Sequence, residues 1–209
     1  MTLPNTPVTL RERQKGLGRR LIAEATSRVI LRSGIHQFSM QDVADEAGVS
    51  LRTLYRYFPS RQDLLDGVAA IIDEATSELG FSTRSEPLTA ESLPTINATA
   101  FRMAAQNPDL GRAWVVINMI TGTRSASMRE RDEVIRQVVK DIGPHLTPTE
   151  LDLAFGVIRY LVGSIAWKVM TDNLGMDTEE AARATDWALR VLLETIQAGG
   201  GPVDPVDPT

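Results

Sequence analysis

One continuous stretch, Phe38 to Asp66 (FSMQDVADEAGVSLRTLYRYFPSRQDLLD), constrains the fold of this chain more than any other part of it. Val43, Ala44, Ala47, Val49, Leu54 and Phe58 are apolar at intervals that turn one face of two short helices inward. The spacing predicts a helix over about Met40–Ala47, with Ser39 as N-cap, and a second over about Leu51–Phe58, with Ser50 as N-cap. Gly48 falls between them, where only a residue without Cβ takes the left-handed conformation freely. Pro59 stops the second helix. Ser60 with Asp63 three residues on opens a third, predicted to run to about Leu79 with Leu64, Leu65, Val68, Ile71 and Ile72 inward.

Two short helices, a glycine turn and a helix behind them form a helix-turn-helix, whose second helix lies in the major groove of DNA. A glycine between short helices is common in any α-helical protein and carries little alone. Here it coincides with a small residue at the helix crossing, Ala44, and with an outward polar set. Ser39, Gln41, Ser50, Leu51, Arg52, Thr53, Tyr55, Arg56, Tyr57 and Arg61 are the candidate DNA-binding residues. Arginine pairs bidentately with guanine, glutamine with adenine, and apolar or aromatic groups pack on the thymine methyl. Arg56 reads equally as a phosphate contact or a solvated charge, and Tyr55 as packed inside the head.

The stretch AGVSLRTLYRYF followed by PSRQDLL resembles the signature of TetR-family transcriptional regulators. The features that carry the resemblance are the Leu54–Tyr55 pair, Tyr57, Phe58 and Arg61. The close match covers roughly Gly18 to Gly67; the rest of the chain is similar only in length and helical style. The resemblance implies phosphate contacts for Ser39, Thr53, Tyr57 and Arg61, and base contacts for Gln41, Leu51, Arg52 and Tyr55. It also implies a homodimer that reads a palindromic operator in double-stranded DNA, repression, and release by a small-molecule effector.

Charge agrees once the chain is divided. The 209 residues carry a net −5, which suits a DNA binder poorly. Met1–Asp66 holds 10 Lys/Arg and 7 Asp/Glu, a net +3, and the remainder is net −8. A basic reading head on an acidic body follows if only the head meets phosphate, although an acidic body also simply keeps a helical protein in solution. The absence of cysteine excludes disulfides, thiolate zinc sites and cysteine nucleophiles. The most apolar run, Leu151 to Met170, is broken by Asp152, Arg159 and Lys168, and Met1 opens no signal segment. The expected setting is the cytoplasm, with no membrane.

The expected architecture is all-α, with about nine helices: a three-helix helix-turn-helix domain over residues 11–66, then a larger helical bundle over 67–198. Residues 1–10 and 199–209 are read as flexible tails, and Gly80 to Pro87 as a linker. Arg11–Arg20 is either a helix start or arm along DNA phosphates, or a solvated leader. A first helix is expected over about Leu17–Ser33, with Leu21, Ala25, Val29 and Ile22, Thr26, Ile30 as its buried rows. Body helices are placed near Thr89–Gln106, Pro108–Thr121, Ser127–Ile142, Thr149–Asn173 and Thr178–Ala198, with start signals at Asn107-Pro108, Thr147-Pro148 and the acidic run from Asp177.

Two further sets stand out. Gly156, Gly163 and Ala166 lie near one helical stripe, and Trp187, Val191, Leu192 and Ile196 add apolar area. This is the candidate dimer surface, and the same stripe could pack within one chain. The resemblance implies the dimer, because in that family the last two helices join a partner's pair. It also places a ligand pocket among the middle helices, where Phe101, Met103, Trp114, Asn118, Met119, Phe155 and Arg159 mix bulky apolar with polar groups. Ordinary core packing accounts for any one of them as well. Arg159 suggests an apolar ligand with a polar or anionic handle. No cofactor and no metal are expected. His36 and His145 have no evident partners, and HExxH, GxSxG and Walker-type patterns do not occur. The alternative is a helical dimer that keeps the head fold but serves as a ligand-binding or protein-interaction module.

Overall fold

A computed structural model of the chain describes residues 9–76, 87–122 and 126–202. The elements are α1 (Leu10–Ser33), α2 (Met40–Glu46), α3 (Leu51–Tyr57), α4 (Arg61–Thr76), α5 (Ser92–Gln106), α6 (Pro108–Thr121), α7 (Ala126–Ile142), α8 (Pro148–Leu161), α9 (Ser164–Lys168), a π-helical turn over Val169–Asn173, and α10 (Thr178–Gln197). No strand occurs among the described residues, so the fold is all-α.

Helix starts follow their capping residues closely. Thr147 and Asp177 each close a capping box, with Glu150 and Glu180 answering back. The same device, Thr9 with Glu12, starts α1 seven residues before the expected Leu17. Arg11–Arg20 is therefore the first turns of a helix and not an arm. Leu21, expected inside, is half exposed, while Ile22, Ala25, Thr26, Val29 and Ile30 are buried.

One expected helix is broken. In place of a single rod from Thr149 to Asn173, α8 and the α9–π segment meet at a 50° bend. Gly163 sits at the break with φ +115°, a conformation that glycine alone adopts without strain. The backbone groups freed there are taken up by side chains. Asn97, fully buried, donates to the carbonyl of Leu161 at 3.3 Å and accepts from the Gly163 N–H at 3.1 Å. Arg159 donates to the carbonyl of Val162 at 2.9 Å. No single helix among the described residues is long and apolar enough to cross a membrane.

Three apolar clusters hold the molecule together. The first joins α1 to α4 through Val29, Phe38, Val43, Leu54, Phe58, Leu64 and Val68, and it also takes in Leu110 and Ile117 from α6. The second unites α5, α7, α8 and α10 around Leu93, Ile135, Ile158 and Leu189. The third packs Phe101 and Trp167 against Ala166, Ala181 and Ala182. The end of α10 closes with Gly199 and Gly200 donating back to the carbonyls of Ile196 and Thr195, and the His145 ring nitrogen lies 2.9 Å from the Gly200 carbonyl. The expected C-terminal tail is thus pinned at its first residues, and His145 does have a partner. Residues 1–8, most of the expected linker (80–86) and the tail from 203 onward lie outside the described residues.

Candidate nucleic-acid interface

The reading head is built on a turn with fully accounted backbone bonds. Gly48, at φ +65°, donates to the Asp45 carbonyl at 3.1 Å, and Val49 donates to Ala44 at 2.9 Å. These two bonds form a Schellman closure, which satisfies the orphan carbonyls of α2 and aims the chain into α3. Ser39 caps α2, with its hydroxyl donating to Asp42 at 2.7 Å and accepting from the Asp42 N–H. The Ser39 hydroxyl and then the Ser39 backbone N–H, both donating to the Asp42 carboxylate, hold it below the usual aspartate range. Ser50 caps α3 in the same way, accepting from the Thr53 N–H and donating to the Thr53 hydroxyl at 2.9 Å.

From that base α3 divides its side chains. Leu54 and Phe58 are fully buried, each contributing about 1.5–3 kcal/mol. Arg52, Tyr55 and Arg56 face outward, and Tyr55 is 45% exposed. Tyr55 is therefore on the surface, and the inward alternative for it falls. Gln41 is exposed on α2 and donates to Asp45 at 2.7 Å. Leu51, Thr53 and Tyr57 are half-buried at the margin of the same face.

Some of the candidate contacts already have structural duties. Arg61 donates to the carbonyl of Ile35 and lies over the Phe38 ring, 4.2 Å from its centroid, bracing α4 against the loop before α2. Arg56 lies 5.6 Å from the Tyr57 ring centroid. Tyr57 rests on α1 at Gly18, where an added Cβ would come within 2.7 Å of its hydroxyl. Arg19 lay outside the expected set, yet it donates to the Tyr57 carbonyl at 3.1 Å and covers the Phe58 ring at 4.5 Å. Its only sequence signal is membership of the basic run Arg11–Arg20.

Beneath the head lies a cavity of about 310 Å³. Of the seven residues expected at a ligand, it is lined by Phe101 and Met103. Trp114, Asn118 and Arg159 line a separate recess of about 30 Å³, the share of roughly one water. Met119 is 71% exposed, because α6 turns it away from the body. Phe155 packs with the α7–α8–α10 core under the Arg136 guanidinium, 4.3 Å from its centroid. Arg159 is largely buried, and desolvation pushes its guanidinium below the usual arginine range. It is held in an ion pair by Asp132 of α7. The cation expected to meet a ligand's anionic handle is thus committed to Asp132 of the protein itself. The cavity wall instead draws on Arg20, Ile72, Leu110, Arg131 and Trp167.

The candidate dimer residues also separate. Gly156, Trp187 (70% exposed) and Val191 are on the surface, and a Cβ added at Gly156 would meet nothing within 4 Å. Ala166 and Ile196 are buried within the chain, Leu192 packs on the second core, and Gly163 serves the helix break. The surface set is completed by Leu153, Val157 and Tyr160, all more than half exposed. With Gly156 they fall at i, i+3, i+4 and i+7 of α8, one continuous stripe.

Residues 22–68 match the bacterial regulatory proteins of the tetR family. The chain is 31% identical over 108 residues to the nucleoid occlusion factor SlmA of Actinobacillus pleuropneumoniae, covering 51% of this chain and 50% of that protein. It is 40% identical over 60 residues to the HTH-type transcriptional regulator PksA of Bacillus subtilis, covering 29% of each. It thus spans half or less of the length of these two curated relatives. In fold it is similar to the TetR-family protein CprB from S. coelicolor A3(2), with a TM-score of 0.61 at 17% identity over 87% of this chain and 98% of that one. A TetR-family transcription regulator from Marinobacter aquaeolei VT8 gives 0.61 at 17% identity over 93% and 100%.

Proposed function

Because the chain belongs to the tetR family of bacterial regulatory proteins, we propose that it is a sequence-specific DNA-binding regulator that works as a dimer and represses until an effector enters its cavity. The observation that carries this reading is the face of α3. Arg52, Tyr55 and Arg56 stand exposed on a helix whose start, end and inner face are fixed by Ser50, Arg19 and Leu54–Phe58. A rigid helix with a polar, guanidinium-bearing outer face fits the major groove. The stripe on α8 and the Trp187–Val191 face of α10 supply the self-complementary surface that a two-fold dimer needs. Two heads then meet half-sites about 34–36 Å apart, or a multiple of that.

The cavity supports the regulatory part. It touches α1 at Arg20, α4 at Ile72 and α6 at Leu110, so an occupant contacts the head and the body together. A ligand that binds the cavity better when the heads are spread shifts the dimer away from its DNA-binding state by its differential affinity for the two states. The cytoplasm is the setting such a regulator requires. No catalytic step is assigned to the chain.

Selection of bound duplexes from a random library tests the reading, with the wild type and an Arg52→Ala/Tyr57→Ala variant. A palindromic site enriched by the wild type and lost in the variant is the expected result. A folded dimer that enriches nothing at low salt overturns it. A second reading rests on the longer match being to a nucleoid occlusion factor and not to a transcription regulator. Under it the head binds DNA while the body serves as an interaction module. Ligand-insensitive DNA binding would favour that reading.

A further inference from the structure

The wall of the cavity beneath the head sorts its groups by position. Arg20 and Gln106 are exposed and stand on its solvent side, while Phe101, Leu110, Val162 and Trp167 are buried and form its inner side. The two cations of the wall are already engaged. Arg20 pairs with Glu24 one turn along α1 at 3.4 Å, and Arg131 also has partners within the protein. No aspartate or glutamate lines the cavity among the described residues. An anion would therefore have to displace bonds that the arginines already make, and a cation would find no counter-charge. Either ion would lose its hydration without a replacement, which costs far more than burying a neutral group that keeps one hydrogen bond.

One residue on the body side can supply that bond. Ser164 opens α9 directly after the break at Gly163 and is half-buried. Its hydroxyl makes no hydrogen bond to another described residue, whereas the polar groups around it are spent. Asn97 holds the Gly163 N–H, Arg159 holds the Val162 carbonyl, and the Asn107 side-chain carbonyl caps α6 at the Leu110 N–H. Ser164 also borders the water-sized recess, so it stands between the two hollows.

Resting on the reading of this cavity as the effector site, we propose that its ligand is an uncharged, mainly apolar molecule with one carbonyl or hydroxyl group, and that the Ser164 hydroxyl reads that group. A serine hydroxyl donates to a carbonyl and exchanges either role with another hydroxyl. The apolar body of the ligand then packs on Phe101, Leu110 and Trp167, and the single polar contact fixes its orientation. So placed, the ligand touches both sides of the α8–α9 break, at Val162 and Ser164, and reaches the head at Ile72. Ser164 is thus the specificity-determining residue of the cavity.

The size of the cavity sets the probes. Its volume of about 310 Å³ is twice the roughly 150 Å³ of an apolar cavity that takes up benzene. Methyl ketones and primary alcohols of about six to twelve carbons bracket that size. The carboxylates and alkylammonium ions of the same lengths are the charged counterparts, and toluene is the probe without a polar group. The experiment is calorimetric titration of the full chain with each probe, for the wild type, Ser164→Ala, Ser164→Thr and Arg20→Gln, with each variant's unfolding temperature recorded. At least one ketone or alcohol is expected to bind about tenfold tighter than its charged counterparts. Ser164→Ala is expected to weaken that probe by about three- to tenfold and to leave toluene unchanged. Ser164→Thr keeps the hydroxyl and should keep the affinity. Arg20→Gln should leave the neutral probes within about twofold.

The proposal is overturned if no neutral probe binds, if a carboxylate or an ammonium binds as well, or if Ser164→Ala weakens toluene as much as the ketone, which would make the residue a packing element only. The comparison of neutral with charged probes is made on the wild type and stands whatever the variants' stability. Duplex selection separates these outcomes from the broader reading. A neutral probe bound through Ser164 with no enriched site would sink the regulator and leave the ligand assignment standing. An enriched site with no neutral probe bound would do the reverse.

Discussion

Arg19 and Tyr57 are 38 positions apart in sequence, and the guanidinium of one donates to the backbone carbonyl of the other at 3.1 Å. The same guanidinium covers Phe58 at 4.5 Å from the ring centroid. The exposed end of α3 is thereby fastened to α1. Arg19→Ala is expected to cost about 1–3 kcal/mol through the lost charged hydrogen bond and ring contact. It should weaken operator binding more than a phosphate contact alone explains. Chemical denaturation and DNA titration at several salt concentrations check this. A loss of affinity confined to the salt slope would mean that Arg19 acts only as a charge.

Gly67 of α4 lies against the ring of Phe58, the residue that closes the reading helix. A Cβ on Gly67 would lie 2.3 Å from the Phe58 ring. Gly67→Ala should therefore lose about 1–3 kcal/mol by overpacking, despite the better helix propensity of alanine. For a chain of this size that lowers the unfolding midpoint by about 2–4 °C for each kcal/mol. Thermal unfolding followed by circular dichroism reads it directly.

The helix-turn-helix was legible because each of its signals is local. Ser39, Gly48, Ser50 and Pro59 mark boundaries in the sequence, and the structure uses the first three as caps and turn. The earlier start of α1 was equally legible in Thr9 and Glu12 and was hidden by the turn-formers just before them. The break at Gly163 was harder to see. A glycine inside an apolar run is compatible with a continuous helix, and what decides otherwise is Asn97, 66 residues away. Arg159 illustrates the same limit: its place in the bundle was foreseeable, but its partner Asp132 comes from another helix. The cavity's arginines come from α1 and α7, and no spacing rule connects them.

The exposed stripe on α8 makes a prediction about assembly. Val157→Asp or Trp187→Glu places a charge on a surface side chain without disturbing the core beneath. Either change should shift a dimer toward monomer by tenfold or more, about 1.4 kcal/mol, and leave the stability of the single chain within about 0.5 kcal/mol. Sedimentation velocity across a concentration series distinguishes the two effects. An unchanged association constant would remove this face from the interface.

Acid should loosen the joint between α1 and α2. Glu46 accepts from Arg28 at 2.7 Å and from Arg32 at 3.0 Å, and those bonds hold its carboxyl below the ordinary 4.5. Hydrogen bonding from Arg112, and then from Lys168, lowers Asp172 in the same direction. A carboxyl lowered in the folded state binds fewer protons there than in the unfolded chain. Its contribution is therefore whole above the ordinary value and is lost as pH falls through the lowered one. The unfolding midpoint should hold above about pH 5 and drop below it. The drop should be shallower in an Arg28→Gln/Arg32→Gln variant. An equally steep acid limb in that variant would place the sensitivity elsewhere.

Leu110 and Ile117 belong to α6, yet they fill the same cluster as Val29, Leu54 and Phe58. The head therefore has no floor of its own. A fragment ending after α4 would expose the underside of its core to water and would model the reading domain poorly. The same fact makes α6 a shared wall, with Leu110 both in the head's core and on the cavity and Gly111 beside it on the cavity. An occupant that shifts this wall changes how tightly the reading helix is seated, with no hinge between the two events.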